Sequence, residues 1–417
     1  SWVWSFTFSG AWRCMGGSVK ISVIFIALTL LLAAAPSVAD NAAAAADSGS
    51  AILPGNPLEG SQLFSAKGCL RCHAINSVGG VGGPDLGQGI LKRSLLDIAG
   101  VMWNHSPGMA HVIEERRAER PLFKAPEMAS LLAFLYYSGS LEAPGDAAVG
   151  ERLFREKQCQ ICHSLGGKGG KHGPALDSYS KYASPIYLSV GLWNRGKTMA
   201  GVMEVLGISR PTFEKNNIPD LFAYIRSFGR SVERVYAQPG SPRNGEKLFV
   251  QKRCIECHSV TPQGDPTRAN LRARLIKGSL MTIAGAMWNH GPKMWADMAR
   301  RGIAPSSLSA EEMSDIIGYL YFLQFIDPAG VAERGRVVFQ EKRCAKCHLA
   351  PEKGAAQGAD FAKSDKLKTQ LEVVTEMWNH ASTMEEKMLK ESVEWPVFRG
   401  GEMADLVAYL ISLRGGK

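Results

Sequence analysis

The sequence predicts an all-α protein built from four similar units in tandem. Three observations predict this fold class: an internal repeat of roughly 90 residues, apolar residues at helical spacing, and no segment with sustained period-2 alternation. With 45% hydrophobic and 21% charged residues, the 417-residue chain has an ordinary globular composition, which excludes disordered and fibrous classes. Only one long apolar run is present, near the N-terminus, so a polytopic membrane protein is also excluded.

The N-terminal apolar run predicts an export segment. Lys20 precedes the apolar residues 21–35, and small residues at 37–39 provide a cleavage site. The run is about as long as the apolar part of a secretory signal and shorter than a membrane-spanning helix. We therefore predict a signal peptide over 1–39, with an uncleaved membrane anchor as the alternative, and a flexible tether over 40–54 that is rich in Ala, Ser and Asp.

Eight of the nine cysteines fall in four copies of one pattern, Cys-x-x-Cys-His, at intervals of 90, 95 and 90 residues. Two thiols one helical turn apart can add to the two vinyl groups of one haem, and the next residue then places an imidazole under the iron. A structural zinc site needs two nearby Cys pairs, and a redox dithiol belongs to a βαβ context that is absent here. We predict four covalently attached haem c groups. Their thioether and proximal ligands are Cys69, Cys72 and His73; Cys159, Cys162 and His163; Cys254, Cys257 and His258; and Cys344, Cys347 and His348.

Further landmarks recur without gaps when the four motifs are aligned. Before each motif stand a Gly, a Phe and a Lys: Gly60, Phe64, Lys67; Gly150, Phe154, Lys157; Gly245, Phe249, Lys252; Gly335, Phe339, Lys342. After each motif come a Trp-Asn pair, a Met and a final aromatic residue. Each repeat is therefore predicted to contain a first helix, the haem motif, a Gly-rich loop, two middle helices and a last amphipathic helix. The units are 55–145, 146–238, 239–329 and 330–417, called repeats 1 to 4 below.

The distal ligand of each iron is predicted to be a methionine. Met109, Met199, Met294 and Met384 each lie 36 residues after their proximal His, and a thioether ligand raises the reduction potential relative to a second His. The alternative distal ligands are His105, His290 and His380, two residues after the Trp. Repeat 2 breaks that series because it carries Arg195 there.

Each unit resembles a class I cytochrome c domain. The resemblance rests on the opening Gly-x-x-Leu/Val-Phe-x-x-Lys-x-Cys-x-x-Cys-His, the distal Met, and a closing helix of the Asp-Leu-x-x-Tyr-Leu kind. It implies that the first and last helices cross where a Gly meets an aromatic residue, in the pairs Gly60 with Phe134, Gly150 with Tyr224, Gly245 with Tyr319, and Gly335 with Tyr409. It also implies that the proximal His donates to a backbone carbonyl in a Gly-Pro loop, at Pro84 and Pro174; Ala269 and Ala359 replace that Pro in repeats 3 and 4.

The Trp-Asn pairs are candidate haem-pocket residues. In one interpretation the Trp packs on the haem or bonds a propionate through its indole N–H, while the Asn holds the Met loop. In the other, the Trp is a core aromatic residue and the Asn forms a turn. The residues are Trp103, Asn104, Trp193, Asn194, Trp288, Asn289, Trp378 and Asn379.

These features together predict a tetrahaem electron carrier rather than an enzyme. It would work by outer-sphere transfer through His/Met haems between periplasmic or membrane redox partners, such as a membrane oxidoreductase and other cytochromes. The alternatives are a peroxidase-like haem enzyme that opens one distal site, and a fixed cytochrome subunit of a larger membrane oxidoreductase complex.

The net charge of +9 does not indicate nucleic-acid binding, because haem propionates would offset part of it. The Lys two residues before each motif either steers acidic partners or complements the dipole of the first helix. The predicted location is the periplasm or the extracytoplasmic face of the membrane, with anchoring possible through residues 19–39.

Overall fold

The computed structural model describes residues 53–87, 93–139, 145–229, 235–260, 265, 267–272, 278–348, 361 and 364–414. The predicted export segment lies outside the described residues, as does Ala359. Within the described ranges, every helix is too short or too polar to cross a lipid bilayer.

Three helices recur in each repeat and are called the first, middle and last helix. They are Pro57–Ala66, Leu95–Glu115 and Ala125–Gly139 in repeat 1; Ala147–Glu156, Ile186–Val205 and Asn217–Ser227 in repeat 2; Pro242–Gln251, Leu280–Arg300 and Ala310–Phe322 in repeat 3; and Ala332–Glu341, Gln370–Lys390 and Glu402–Ser412 in repeat 4. The all-α prediction is confirmed. The prediction of two middle helices is wrong, because one helix of about six turns carries the Trp-Asn pair and the Met together.

Short elements surround each haem motif. A single helical turn spans the motif at Cys69–Arg71, Cys159–Cys162, Cys254–Glu256 and Cys344–Lys346. Two-residue strands follow it: Ala74–Ile75 with Val78–Gly79 and Ser164–Leu165 with Lys168–Gly169 are antiparallel, and His258–Ser259 with Ala269–Asn270 is parallel. Two 3₁₀ turns, Leu176–Lys181 and Leu323–Phe325, complete the described elements.

The first and last helices of each repeat cross in close contact, as the resemblance implies. A Cβ on Gly335 would lie 1.9 Å from the carbonyl oxygen of Asp405 and 2.7 Å from Cβ of Tyr409, so only glycine permits this approach. The equivalent glycines in the other repeats meet their partners in the same way. The buried Phe of each first helix contacts the aromatic residue of the last helix, with ring centres 5.4–5.6 Å apart.

A polar bond fixes the same crossing. The carboxylates of Asp220, Asp315 and Asp405 in the last helices accept from the backbone N–H that begins the first helix, at 2.8, 2.7 and 2.7 Å. Repeat 1 has Ser130 at this position, which accepts from Asn56 at 3.2 Å. A capping box of Ser309 and Glu312 begins the last helix of repeat 3.

The four repeats associate as two pairs, 1 with 4 and 2 with 3, through their middle helices. Small residues occupy the crossing: Ser106 and Ala381 are fully buried in pair 1·4, and Gly196 and Gly291 are buried in pair 2·3. Small side chains allow helix backbones to approach closely, and this explains why the crossing falls three residues after each Trp.

Repeats 1 and 3 connect the two pairs. The buried ring of Tyr136 packs on Phe322 and Phe325, with ring centres 5.5 and 4.5 Å apart. The carboxylate of Asp327 accepts a hydrogen bond of 3.0 Å from the backbone N–H of Leu96. These contacts place the repeats in the spatial order 4–1–3–2, which differs from their order along the chain.

Candidate haem sites

Repeat 2 contains a cavity of about 300 Å³ at its haem motif. Its walls include Cys159, Cys162, His163 and Met199, the four residues that the sequence predicts as haem ligands. The lining is mostly apolar, with Phe154, Leu176, Leu188, Leu221 and Ile225 among the other wall residues. A mostly apolar cavity with two thiols, an imidazole and a thioether on its walls fits a covalently attached haem.

The proximal imidazoles of repeats 1 and 2 are oriented as the resemblance implies. Nδ1 of His73 lies 3.0 Å from the carbonyl oxygen of Pro84, and Nδ1 of His163 lies 2.9 Å from that of Pro174. Such a bond fixes the tautomer and leaves Nε2 available to a metal ion. A Cβ on Gly173 would lie 2.4 Å from the imidazole of His163, so the Gly of the Gly-Pro loop leaves room for the ring.

The corresponding loop of repeat 3 is built differently. Ala269 donates to the carbonyl oxygen of Cys257 at 3.0 Å, a bond that Gly83 makes to Cys72 in repeat 1. The loop is therefore shifted by one residue at this point, because Ala269 lies eleven residues after the proximal His and Gly83 only ten. Burial lowers the pKa of His258, and the nearby His290 lowers it further.

The first thiol of each haem motif lies in an apolar environment. Burial raises the pKa values of Cys69, Cys159, Cys254 and Cys344 to about 11. Such sulfurs favour the uncharged form. A thioether is uncharged, so these positions suit covalent haem attachment better than thiolate binding of a metal ion.

The predicted distal methionines are all half-buried on the middle helices. Met109, Met199 and Met384 pack against the hydrophobic core, and Met199 lines the cavity of repeat 2. Met203, one turn beyond Met199, lines the same cavity and was not identified from the sequence. The sequence pattern that could have identified Met203 is incomplete. Met298 and Met388 also stand four residues after the predicted distal Met, but repeat 1 has Ile113 there.

The alternative distal histidines are exposed in the polypeptide and lie on the same helices. Nδ1 of His105 and Nδ1 of His380 lie 2.8 and 3.0 Å from the carbonyl oxygens one turn earlier. In repeat 3 the ring centre of His290 lies 6.3 Å from that of the proximal His258. In repeat 2, Arg195 lines the cavity at this position.

The Trp-Asn pairs bind the neighbouring repeat of each pair. In every repeat, the indole N–H donates to the first residue of a three-residue loop, the pairing loop, in the partner repeat at 2.7–3.0 Å. The Asn side chain donates to the carbonyl of the third loop residue and accepts from its N–H, at 2.8–3.0 Å. The pairing loops are residues 121–123, 211–213, 306–308 and 396–398. We call each set of three hydrogen bonds a Trp-Asn clamp.

This arrangement corrects the sequence-based interpretation of the pair. The indole N–H bonds a backbone carbonyl of another repeat instead of a propionate, and the Asn holds a pairing loop instead of the Met loop. Trp103, Trp288 and Trp378 are buried core aromatic residues, as the other interpretation has it, and neither interpretation predicted a contact between repeats. Trp288 of repeat 3 nevertheless lines the cavity of repeat 2, together with Pro211 and Phe213 of the pairing loop. The clamp of Trp288 therefore forms part of the candidate haem site of repeat 2.

The lysines two residues before each haem motif also form contacts within the protein. Nζ of Lys67, Lys157 and Lys252 donates to the second residue of the pairing loop in its own repeat, at 2.6, 2.6 and 3.2 Å. Lys67, Lys252 and Lys342 further pair with a Glu of the last helix at 3.2, 2.7 and 2.9 Å, and the three lysine side chains are less than a quarter exposed. Lys67, Lys157 and Lys252 therefore hold their pairing loops in place, and all four lysines bond groups of the protein itself.

Comparison with known protein families is consistent with haem sites at these motifs. The sequence model of the cytochrome c family matches residues 147–229, 242–323 and 332–414, which correspond to repeats 2, 3 and 4. No curated protein and no solved structure matches the chain.

Proposed function

Because the chain belongs to the cytochrome c family and its domains indicate a haem-binding electron-transfer protein, we propose that it is a tetrahaem c-type cytochrome. The four haem c groups are attached through the eight motif cysteines. The four motif histidines are the proximal ligands, and Met109, Met199 and Met384 are the distal ligands of repeats 1, 2 and 4. Repeat 3 has two candidate distal ligands, His290 and Met294.

The observation that carries this proposal is the cavity of repeat 2, whose walls bring together the two cysteines, His163 and Met199. When bound, the haem supplies an iron that cycles between the ferrous and ferric states. His163 is held by the carbonyl of Pro174, so its imidazole is pre-oriented. Met199 offers a soft sulfur that favours the ferrous state, and the apolar walls limit access of water.

Repeat 1 supports a fourth haem, although the family model does not cover it. It has the same three helices, the same Gly60 crossing and the same bond from His73 to the carbonyl of Pro84. Its Trp-Asn pair forms a clamp with repeat 4 that matches the other three. A repeat that retains the motif and all of these contacts is expected to bind haem as its neighbours do.

The arrangement of the repeats favours transfer along the protein. Packed contacts join repeats in the order 4–1–3–2, so electrons would enter near one end of this series and leave near the other. The partners would be a membrane oxidoreductase and a second carrier on the extracytoplasmic side, where cytochrome c domains typically act. The segment 1–39 would direct export.

The test is a haem count on the mature protein, followed by a redox titration. We expect four haems per chain by pyridine haemochromogen assay, haem-modified peptides at all four motifs by mass spectrometry, and reversible reduction without turnover of peroxide. Fewer than four haem-modified peptides would contradict the tetrahaem assignment. Sustained peroxide turnover by the half-reduced protein would instead favour the peroxidase-like alternative.

A further inference from the structure

Two candidate distal ligands of repeat 3, His290 and Met294, stand one turn apart on the middle helix Leu280–Arg300. We propose that His290 is the sixth ligand of the haem in repeat 3, so that this repeat holds a bis-histidine site. The inference rests on the proposed function only in requiring that repeat 3 binds haem through Cys254 and Cys257.

The separation of two imidazoles carries the proposal. The ring centres of His258 and His290 are 6.3 Å apart. An imidazole nitrogen binds a first-row metal ion at about 2 Å, and the ring centre lies roughly 1 Å behind that nitrogen, so two rings that bind one ion from opposite sides would have centres about 6 Å apart. The angle of 56° between the ring planes is compatible with this, because ligands on opposite sides of an ion can rotate about their common axis.

The equivalent helix position carries a histidine in repeats 1 and 4 and Arg195 in repeat 2. In repeats 1 and 4, whose distal ligands are assigned to Met109 and Met384, Nδ1 of His105 and of His380 lies against a carbonyl of its own helix. No such bond is among the contacts described for His290. The ring centre of His290 lies 6.3 Å from that of the proximal His258.

Repeat 2 provides the contrast within the same pair. Arg195 occupies the position of His290, and an always-protonated guanidinium cannot bind iron, so Met199 is left as the distal ligand on the cavity wall. Methionine ligation raises the reduction potential relative to His/His ligation. Repeat 3 would therefore have a lower potential than repeat 2, and electrons would pass from repeat 3 to repeat 2 across their shared interface.

The first experiment compares Met294→Leu with Met199→Leu in the full-length, haem-loaded protein. The readout is the far-red sulfur-to-iron charge-transfer band of the oxidised protein. We expect Met199→Leu to remove the share of one haem from this band and Met294→Leu to leave it unchanged. Loss of an equal share in Met294→Leu would overturn the proposal.

The second experiment replaces the proposed ligand. His290→Gln should remove a bis-histidine low-spin ferric signal from the electron paramagnetic resonance spectrum and raise the lowest midpoint potential of the protein. His111→Gln, a change at an exposed histidine on the middle helix of repeat 1, is the matched control and should alter neither. An unchanged spectrum and unchanged potentials in His290→Gln would contradict the assignment.

Haem counting separates the two proposals. If the peptide carrying Cys254 and Cys257 lacks haem, the tetrahaem assignment and this inference both fail. If that peptide carries haem and the far-red band responds to Met294→Leu, only the bis-histidine assignment fails.

Discussion

Pairs 1·4 and 2·3 are joined by the same kind of hydrogen bonds, but different side chains fill the two interfaces. Both use two reciprocal Trp-Asn clamps, and in both an Arg of the earlier repeat covers the Trp of the later one. Arg120 lies 4.3 Å from the ring centre of Trp378, and Arg210 lies 3.7 Å from that of Trp288. Burial lowers the pKa values of both guanidinium groups, to about 10 for Arg210.

The second aromatic residue of each interface comes from a different place. In pair 1·4, Trp395 follows the middle helix of repeat 4 and stacks on Trp103, with ring centres 4.3 Å apart and an angle of 19°. In pair 2·3, Trp295 extends from the middle helix of repeat 3 to the helix crossing at Gly196 and Gly291. Arg120 lies in repeat 1 and Arg210 in repeat 2, so each pair contains one such arginine. The clamp thus provides the common geometry, and the filling residues distinguish one pair from the other.

The largest expected effect comes from removing a clamp tryptophan in pair 2·3. Trp288 is buried, donates to the carbonyl of Pro211, packs under Arg210 and lines the haem cavity of repeat 2. Trp288→Ala should lower the free energy of unfolding by about 3–5 kcal/mol and perturb the haem spectrum of repeat 2. Urea denaturation followed by far-UV circular dichroism measures the stability. Tyr236→Ala, at an exposed aromatic residue, should cost less than about 0.5 kcal/mol; equal losses in the two variants would rule out a pairing role for Trp288.

Trp288 also shows what the sequence could and could not reveal. The motif, its spacing and the Gly-aromatic crossing predicted the fold of each repeat, because these features act within about 90 residues and recur four times. The clamp was missed although the pairing loops carry a pattern, Pro-x-Phe twelve residues after the Met in repeats 1, 2 and 4. The groups that the Trp-Asn pair bonds are backbone groups 76 to 294 residues away, so the pattern alone does not reveal that the loop belongs to another repeat. His290 was visible as an alternative ligand, but only its distance from His258 distinguishes it from Met294.

The second prediction tests the different packing at the two helix crossings. A Cβ on Gly196 would lie 2.8 Å from the ring of Trp295 and 3.4 Å from that of Trp288, whereas pair 1·4 accommodates Ser106 and Ala381 at the equivalent point. Gly196→Ala should therefore destabilise pair 2·3 by about 1–3 kcal/mol.

Gly201→Ala on the same helix is the matched control. No atom lies within 4 Å of the added Cβ, so this change should stabilise the helix by about 0.5–1 kcal/mol. Thermal unfolding of both variants beside the parent protein measures the two effects. The same sign for both changes would argue against a tight crossing in pair 2·3.

The third prediction tests whether the clamp is equivalent in the two pairs. Asn104→Asp in pair 1·4 keeps the acceptor for the N–H of Phe398 but loses the donor to its carbonyl, leaving two oxygens in contact. The cost should be about 1–3 kcal/mol at neutral pH and should decrease in acid, because a protonated carboxyl regains a donor. Asn194→Asp in pair 2·3 should give the same loss in urea denaturation, since its bonds to Leu308 are the same. Losses confined to one pair would show that the clamps are not equivalent.

The smallest expected effect concerns the lysine that bonds the pairing loop of its own repeat. The other contacts of this lysine differ between repeats 2 and 3. Lys252 pairs with Glu312 at 2.7 Å. Repeat 2 has Asn217 at the Glu position, and Lys157 donates to the carbonyl of Thr212 and lies 5.6 Å from the ring centre of Phe213. Both ion-pair partners are about a quarter to a third exposed, so Lys252→Met should cost only about 0.5–1 kcal/mol.

The two lysines should also differ in their dependence on pH. The hydrogen bond from Lys252, with that from the backbone of Ser309, holds the pKa of Glu312 below its ordinary value of 4.5. A carboxyl with a lowered pKa contributes stability that is complete above the ordinary value and is lost as the pH falls through the folded value. The stability difference between parent and Lys252→Met should therefore shrink in acid below about pH 4.5. The difference for Lys157→Met should stay constant there, because a carbonyl does not titrate, and parallel pH profiles for the two variants would show that the ion pair does not stabilise repeat 3.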